Sequence, residues 1–330
     1  MSESGVEASR YLATIETVYR DAAESPEAGL CCLASPPQRL PGLVVPDAML
    51  AMNYGCGSAV ASEGLRQGER ALYIGVGGGM EALQLAYYTR TVGGVVAVDP
   101  VGEMRSAAVR NLAAAAEVND WFDPEMVEII DGDALRLPAE DASFNYVAQN
   151  CLFNVLKPGE LATALGETAR VLKLGGRLAM SDPITPLPLP QHVVDDERLR
   201  AWCLSGCQTY EAYIDAVTSA GFGTVEVRSR RPYRALSASE HGLASDVLLE
   251  SLDVVAIKCP TPNDGPCVFT GRTATYTGHD ESFNDGAGHT LPRGLPQPVC
   301  DKTAGKLTTL DRTDLIVTDP TWHYGGGGCC

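Results

Sequence analysis

The sequence predicts a doubly wound α/β fold on a mostly parallel, seven-stranded sheet. Three observations predict it. From about Leu72 onward, short apolar runs alternate with stretches of helical period, the order expected of parallel strands joined by crossover helices. A glycine-rich turn, GVGGG at 75–79, follows the first of those runs. Two acids, Asp99 and Asp133, stand where the second and third runs end.

Taken in order, residues 12–23 place Leu12, Ile15, Val18, Tyr19 and Ala22 on one stripe, which predicts an amphipathic helix. A loop with Cys31 and Cys32 follows, and four prolines within 36–48 mark connecting structure. Strands are expected at 72–75, 94–99, 127–133, 144–151 and 177–182, and helices at 80–88, 102–116 and 159–172. Runs at 224–228 and 252–257 close the core. Beyond Lys258 the texture turns to Gly, Pro, Thr and Asp, with only short strand-like stretches such as 273–276 and 315–317. The expected organisation is therefore a helical cap and linker over 1–49, the main domain over 50–258 and a small loop-rich, cysteine-containing module over 259–330.

The 330 residues suffice for one large α/β domain and a smaller appendage. No apolar run approaches a membrane span, and the first ten residues lack the basic-then-apolar order of a signal peptide. A formal charge of −17 argues against nucleic acid and anionic membrane as partners. The expected location is cytoplasmic. Eleven cysteines, at 31, 32, 56, 151, 203, 207, 259, 267, 300, 329 and 330, are unusual there. In a reducing compartment they point to soft-metal binding, redox chemistry or burial as small apolar groups. Paired CxxC sites and CxxH spacing, the usual marks of structural zinc, do not occur.

In doubly wound sheets, ligands bind beyond the carboxyl ends of the strands, where strand order reverses. Gly75, Gly77, Gly78 and Gly79 occupy such a turn, and glycine there permits positive φ and close backbone approach. Asp99 offers acceptors to two ribose hydroxyls, while Asp133 and the adjacent backbone of Ala134 suit an adenine amino group. Either acid alone is more often a loop cap; their order and spacing together predict a nucleoside cofactor. The turn is GVGGG and not GxGxxG, and no His or Lys stands in an obvious proton-transfer setting, which weighs against a dehydrogenase.

The segments SFNYVAQNCLFNV and LGETARVLKLGGRLAMSDP resemble class I methyltransferases, whose usual turn is VLKPGG where this chain has VLKLGG. That resemblance implies S-adenosylmethionine as cofactor, a Rossmann-like sheet, and Asn150 as a further member of the cofactor shell. One departure stands out: where the family carries an acid in the first strand (LDLG), this chain has Tyr73 in LYIG.

Cys151 ends the fourth strand, Cys203 and Cys207 follow the fifth, Cys56 precedes the first, and Cys31 and Cys32 belong to the cap. The segments YGCGSA, QNCLFNVL, SDPI and WCLSGC resemble those of arsenite methyltransferases over about residues 50–230. The resemblance implies that Cys151 and Cys203 hold arsenic during transfer, with Cys56 as third ligand or as an attacking thiol in later redox exchange, and Cys31 or Cys32 as an upstream functional cysteine. Cys207 replaces the family's usual Ala. The strings FNDGAGHTLPRG, VCDKTAG and PTWHYGGGGCC are similar to the subgroup associated with arsenosugar biosynthesis.

The chemistry fits. Trivalent arsenic is soft and thiophilic, three thiolates leave its lone pair free, and alignment alone contributes on the order of 7–11 kcal/mol to such a transfer. No general base is needed. The implied partners are arsenite as a thiol conjugate and a thiol reductant such as thioredoxin or glutathione. Two other readings stay open: methyl transfer to an organic acceptor with incidental cysteines, and a soft-metal binding protein with an inactive methyltransferase fold. Cys259, Cys267 and Cys300 default to buried small hydrophobes, the role of Cys207 is open, and His323 reads as structural. The glycines at 325–328 read as a tether for Cys329 and Cys330, the alternative being a tail with incidental thiols.

Overall fold

The computed structural model describes residues 3–27, 30, 39–60 and 65–325. Its elements run α1 (Glu3–Glu24), α2 (Asp47–Ala51), β1 (Ala71–Ile74), α3 (Met80–Thr89), β2 (Val95–Asp99), α4 (Gly102–Val118), β3 (Val127–Asp131), β4 (Phe144–Asn150), α5 (Pro158–Val171) and β5 (Leu172–Ile184). There follow α6 (Gln191–Val194), α7 (Glu197–Ala201), α8 (Tyr210–Ser219), β6 (Thr224–Leu236), α9 (Ala238–His241) and β7 (Val247–Ile257). The remainder comprises β8 (Cys267–Phe269), β9 (Thr273–Tyr276), β10 (Ser282–Asn284), β11 (Thr290–Pro292), β12 (Gln297–Pro298), α10 (Asp301–Thr309) and β13 (Leu315–Val317).

The main sheet has the order β3-β2-β1-β4-β5-β7-β6-β8, with only β7 reversed relative to its neighbours. Every residue of β1 and β2 is buried, as expected of central parallel strands covered on both faces. One face packs on α5 and α8 through Leu161, Leu165, Tyr213 and Val217; the other packs on α3 and α4 through Leu83, Ala86, Met104 and Leu112. The buried residues of α5 fall at 161, 164, 165, 168 and 171, one stripe of a 3.6-residue period. From β1 the chain winds outward through β2 to β3, then returns to place β4 on the other side of β1. The crevice between β1 and β4 is therefore the switch point, and the glycine turn opens there.

The sheet has eight strands where seven were expected. The eighth, β8, comes from the loop-rich stretch beyond residue 258 and pairs with β6 in the register Thr224↔Cys267. A three-residue CVF run is too short to declare a period. The strands β5, β6 and β7 also outrun their expected bounds, because β6 and β7 pair along their full length through the charged segment RSRRPYR, which the sequence alone does not mark as strand.

The carboxyl-terminal stretch has its own small core, in which Leu307 of α10 packs on Ala274 and Tyr276 of β9. It is fastened to the main sheet: the Tyr324 ring stacks on Phe269 at 4.8 Å, the Tyr324 N–H donates to the Val227 carbonyl at 2.9 Å, and Arg230 lies over the Trp322 ring at 4.4 Å. His323 contacts the Arg228 carbonyl through Nδ1 at 2.9 Å, a structural role. At the opposite end of the chain, α1 lies across the carboxyl edge of the sheet. Tyr11 bonds Glu160, Thr14 donates to Glu197 at 2.9 Å, and Tyr54 donates to the Ala22 carbonyl at 2.8 Å. Among the described residues, no helix is long and apolar enough to cross a membrane.

Candidate active site

A cavity of about 340 Å³ opens at the switch point. Its floor is the turn after β1, in which Gly75, Gly77 and Gly79 adopt φ of 81°, 50° and 86°. Side chains with a Cβ resist that left-handed conformation, so the glycines are a backbone requirement. Gly79 is the N-cap of α3, so the helix starts directly from the turn. Asp99 ends β2 and locks the turn: its Oδ2 accepts from the Val76 N–H and its Oδ1 from the Val101 N–H, both at 2.9 Å. Burial pushes this carboxyl up to about 6, against the pull of those backbone donors.

Asp133 also lines the cavity, with Gly132 and Ala134. It lies beyond the end of β3, exposed at the rim, where its Oδ1 caps the Leu135 N–H at 2.9 Å. Asn150 is more committed. Its Nδ2 donates to the Gly57 carbonyl at 3.0 Å and to Glu81 at 2.9 Å, while its Oδ1 accepts from the N–H groups of Cys56 and Gly57 at 3.0 and 3.3 Å. Every polar atom of that side chain is thus engaged in joining the Cys56 loop to β4. The glycines flanking Cys56 make this close approach possible: a Cβ on Gly55 would fall 2.1 Å from Asn150 Nδ2, and one on Gly57 2.0 Å from Asp253 Oδ1.

The far wall of the cavity carries Cys151. Its thiol exchanges hydrogen bonds with those of Cys56 and Cys203, and Cys203 Sγ contacts the Cys151 carbonyl. Three cysteines separated by some hundred and fifty positions thus meet at one sheet edge. Cys151 and Cys203 have φ of 62° and 59°. Backbone of that kind in a non-glycine residue costs roughly 1–3 kcal/mol and persists where the surroundings over-determine it. Here the Cys151 N–H donates to the Ser181 carbonyl at 2.7 Å and the Cys203 N–H to the Arg200 carbonyl at 2.8 Å.

Cys56 is fully buried and contacts the Ser181 hydroxyl at 3.4 Å. Ser181 donates to Asp253 at 2.5 Å, and Asp253 pairs with Arg231 at 2.8 Å. Burial raises the Cys56 thiol; hydrogen bonding to Cys203 is the largest cause of the rise at Cys151. Asp182, buried beside them, is pushed up to about 7 by burial and held by Tyr213 and Gln149. As they stand, no group of three or more His, Cys, Asp and Glu side chains among the described residues is spaced to hold a cation.

Cys207 packs apart from the other three, with Val193, Leu199, Leu204, Leu236 and Leu249, and its thiol contacts the Cys203 carbonyl at 3.4 Å. Cys267 and Cys300 lie buried with Phe269 and Tyr324, away from the cavity. Cys259 is part-buried against Thr224. Cys31, Cys32, Cys329 and Cys330 lie outside the described residues.

Two residues not singled out as site residues from the sequence complete the cavity. Tyr19 comes down from α1, lines the cavity and hydrogen-bonds the Cys203 side chain; the sequence marks it only as a member of an apolar stripe. Glu81, in the first turn of α3, lines the cavity beside Asp99. With Glu16 and Asp133, four carboxyl-bearing side chains line this space, and among the described residues no lysine, arginine or histidine does. Positive-φ glycines beside a strand-end carboxylate, in an acidic pocket of this size, fit a nucleoside cofactor carrying positive charge. S-adenosylmethionine has that chemistry. Gly75, Gly77, Asp99, Asp133 and the Ala134 backbone would hold it, and it would supply an electrophilic methyl group beside Cys151.

The comparisons agree with this geometry. Residues 72–180 match the methyltransferase domain family. An arsenite methyltransferase of Halobacterium salinarum is 34% identical over 176 residues, 53% of this chain and 43% of that protein. The match thus spans less than half of the halobacterial enzyme. An arsenite methyltransferase of Aquipseudomonas alcaligenes is 28% identical over 331 residues, covering 94% of this chain and 92% of that one. Among solved structures, an arsenic(III) S-adenosylmethionine methyltransferase from Chlamydomonas reinhardtii shares the fold with a TM-score of 0.58 at 23% identity, covering 86% of this chain and 96% of that one. Residues 72–180 thus match a methyltransferase domain, and the chain is similar over nearly its whole length to an arsenite methyltransferase; the strand-end carboxylate beside the glycine turn fits that likeness.

Proposed function

We propose that the chain methylates trivalent arsenic held by Cys151, Cys203 and Cys56. The observation that carries this reading is the meeting of those three thiols at the end of the cofactor cavity, two of them on left-handed backbone. An incidental cysteine gains nothing from a strained conformation that an asparagine or glycine adopts more cheaply. Arsenite condenses with each thiol in turn: the S–H proton leaves with an arsenic-bound hydroxide as water, and an As–S bond replaces As–O. That exchange consumes no base, so thiols protonated by burial are no obstacle. The bound arsenic keeps a lone pair, and Cys151, as the cysteine on the cavity wall, sets its distance from the methyl donor.

Methylation takes arsenic from the trivalent to the pentavalent state, so two electrons must return before the next transfer. A pair of site thiols supplies them by closing a disulfide, which a thiol reductant such as thioredoxin or glutathione reopens by exchange. Such a cycle suits a reducing, cytoplasmic setting. The test is mass spectrometry of products after incubation with arsenite, S-adenosylmethionine and a thiol reductant. Methylated arsenicals are the expected products. Cofactor binding with no arsenical product at any reductant level would overturn the reading.

A further inference from the structure

Glu81 is buried to 9% exposure on the cavity wall. Asn150 Nδ2 donates to its Oε1 at 2.9 Å, and the Tyr73 hydroxyl donates to the same carboxyl group. Both donors are neutral, and no basic side chain among the described residues lines the cavity with it. A carboxylate withdrawn from water and fixed by hydrogen bonds, but not neutralised, is costly unless a cation arrives. Burial accordingly raises its carboxyl. Tyr73 is itself buried on β1, at 2% exposure. In this chain β1 contributes a phenol, and the phenol holds a carboxylate that comes from α3.

We propose that Glu81 pairs with the α-ammonium group of the cofactor's methionyl portion, its carboxylate set by Tyr73 and Asn150. The proposal rests on the cofactor assignment of this cavity. An ammonium is the matching partner because it presents three N–H donors to an acceptor-only carboxylate, whereas a sulfonium presents none. Asp99 is the less suited of the two acids, since each of its oxygens already accepts a backbone N–H.

Calorimetric titration of the full chain with two spent nucleosides separates the roles. S-adenosylhomocysteine carries the α-ammonium; methylthioadenosine keeps the thioether and nucleoside but lacks the amino acid portion. Glu81→Gln should weaken S-adenosylhomocysteine about tenfold or more while changing methylthioadenosine by less than about twofold. Adding Tyr73→Asp should restore much of the lost affinity. Equal losses for both ligands would mean that Glu81 only maintains the cavity's shape, and no loss for either would mean that it meets no cation; each result overturns the proposal. Wild-type protein that binds neither nucleoside would remove the cofactor assignment beneath it, and the proposal with it. Should the amide variant fail to fold, Glu81→Asp retains the charge but withdraws it by one methylene, and the same contrast between ligands is expected in weaker form.

Discussion

The two halves of the cavity are assembled by different means. Most of the cofactor half comes from one stretch, residues 71–101, in which a buried strand, a glycine turn, a helix start and a strand-end acid follow in order, with Asp133 and Ala134 added from beyond β3. Its decisive bonds are short in sequence: Asp99 to Val76 and to Val101. The thiol half draws on residues 56, 151 and 203, and its bonds are long: Asn150 to the Cys56 loop, Ser181 to Asp253, Tyr19 to Cys203. The first half is a local motif that folds one way wherever it occurs in such a sheet. The second exists only once the sheet, the post-β5 insert and α1 are all in place. Damage to one half should therefore leave the other measurably intact.

The largest expected effect falls on the thiol half. Cys151→Ser and Cys203→Ser should each abolish arsenite methylation in single-turnover assays, because serine offers a hard, neutral oxygen in place of a soft sulfur. Cofactor affinity, read by calorimetry on the same variants, should stay within about twofold of wild type. Near-normal turnover in either variant would strike that cysteine from the arsenic-binding set.

The converse experiment breaks the cofactor half. Asp99→Ala removes acceptors for two hydroxyls and should weaken S-adenosylmethionine roughly tenfold, since a hydrogen bond to a charged group contributes about 1.5–3 kcal/mol. Arsenite binding by the variant, followed by thiol titration, should be unchanged. Loss of both activities together would mean that the halves are not independent.

A smaller effect sharpens the same contrast through pH. Burial holds Asp99 at about 6, so the free protein protonates it as pH falls through that value and loses the ionised acceptor. Cofactor affinity should therefore decline below about pH 6 in wild type and not in Asp99→Asn. Stability runs the other way for this group. Its folded value lies above the unfolded one, so its contribution is fully present below the ordinary carboxylate range and is lost as pH rises through about 6. Measuring binding and thermal unfolding across one pH series separates the two slopes, and a common slope would contradict the assignment.

The smallest expected effect concerns Cys329 and Cys330. If they capture arsenite for the buried thiols or reopen their disulfide, replacing both with serine should slow steady-state methylation at low arsenite without changing cofactor affinity. Equal rates across arsenite and reductant concentrations would leave them without a part in catalysis.

The parts whose physics is local are legible in the chain alone. Continuous apolar runs such as VVAVD specify buried parallel strands, glycine is the residue that takes the φ angles of the turn at least cost, and an acid at the end of β2 falls next to that turn by chain geometry alone. The motifs around Cys56, Cys151 and Cys203 were also legible, but only as strings; nothing in their spacing states that three thiols meet. Tertiary structure decided that. It placed two of those cysteines on left-handed backbone, turned Tyr19 from an apolar-stripe residue into the cover of Cys203, and brought Glu81 under the hydroxyl of Tyr73. It also recruited β8 from a stretch with no strand period, because an edge strand needs only three residues and an unpaired neighbour. Such contacts depend on which distant backbones approach each other, and that is settled by burial of the whole sheet rather than by any residue's own preference.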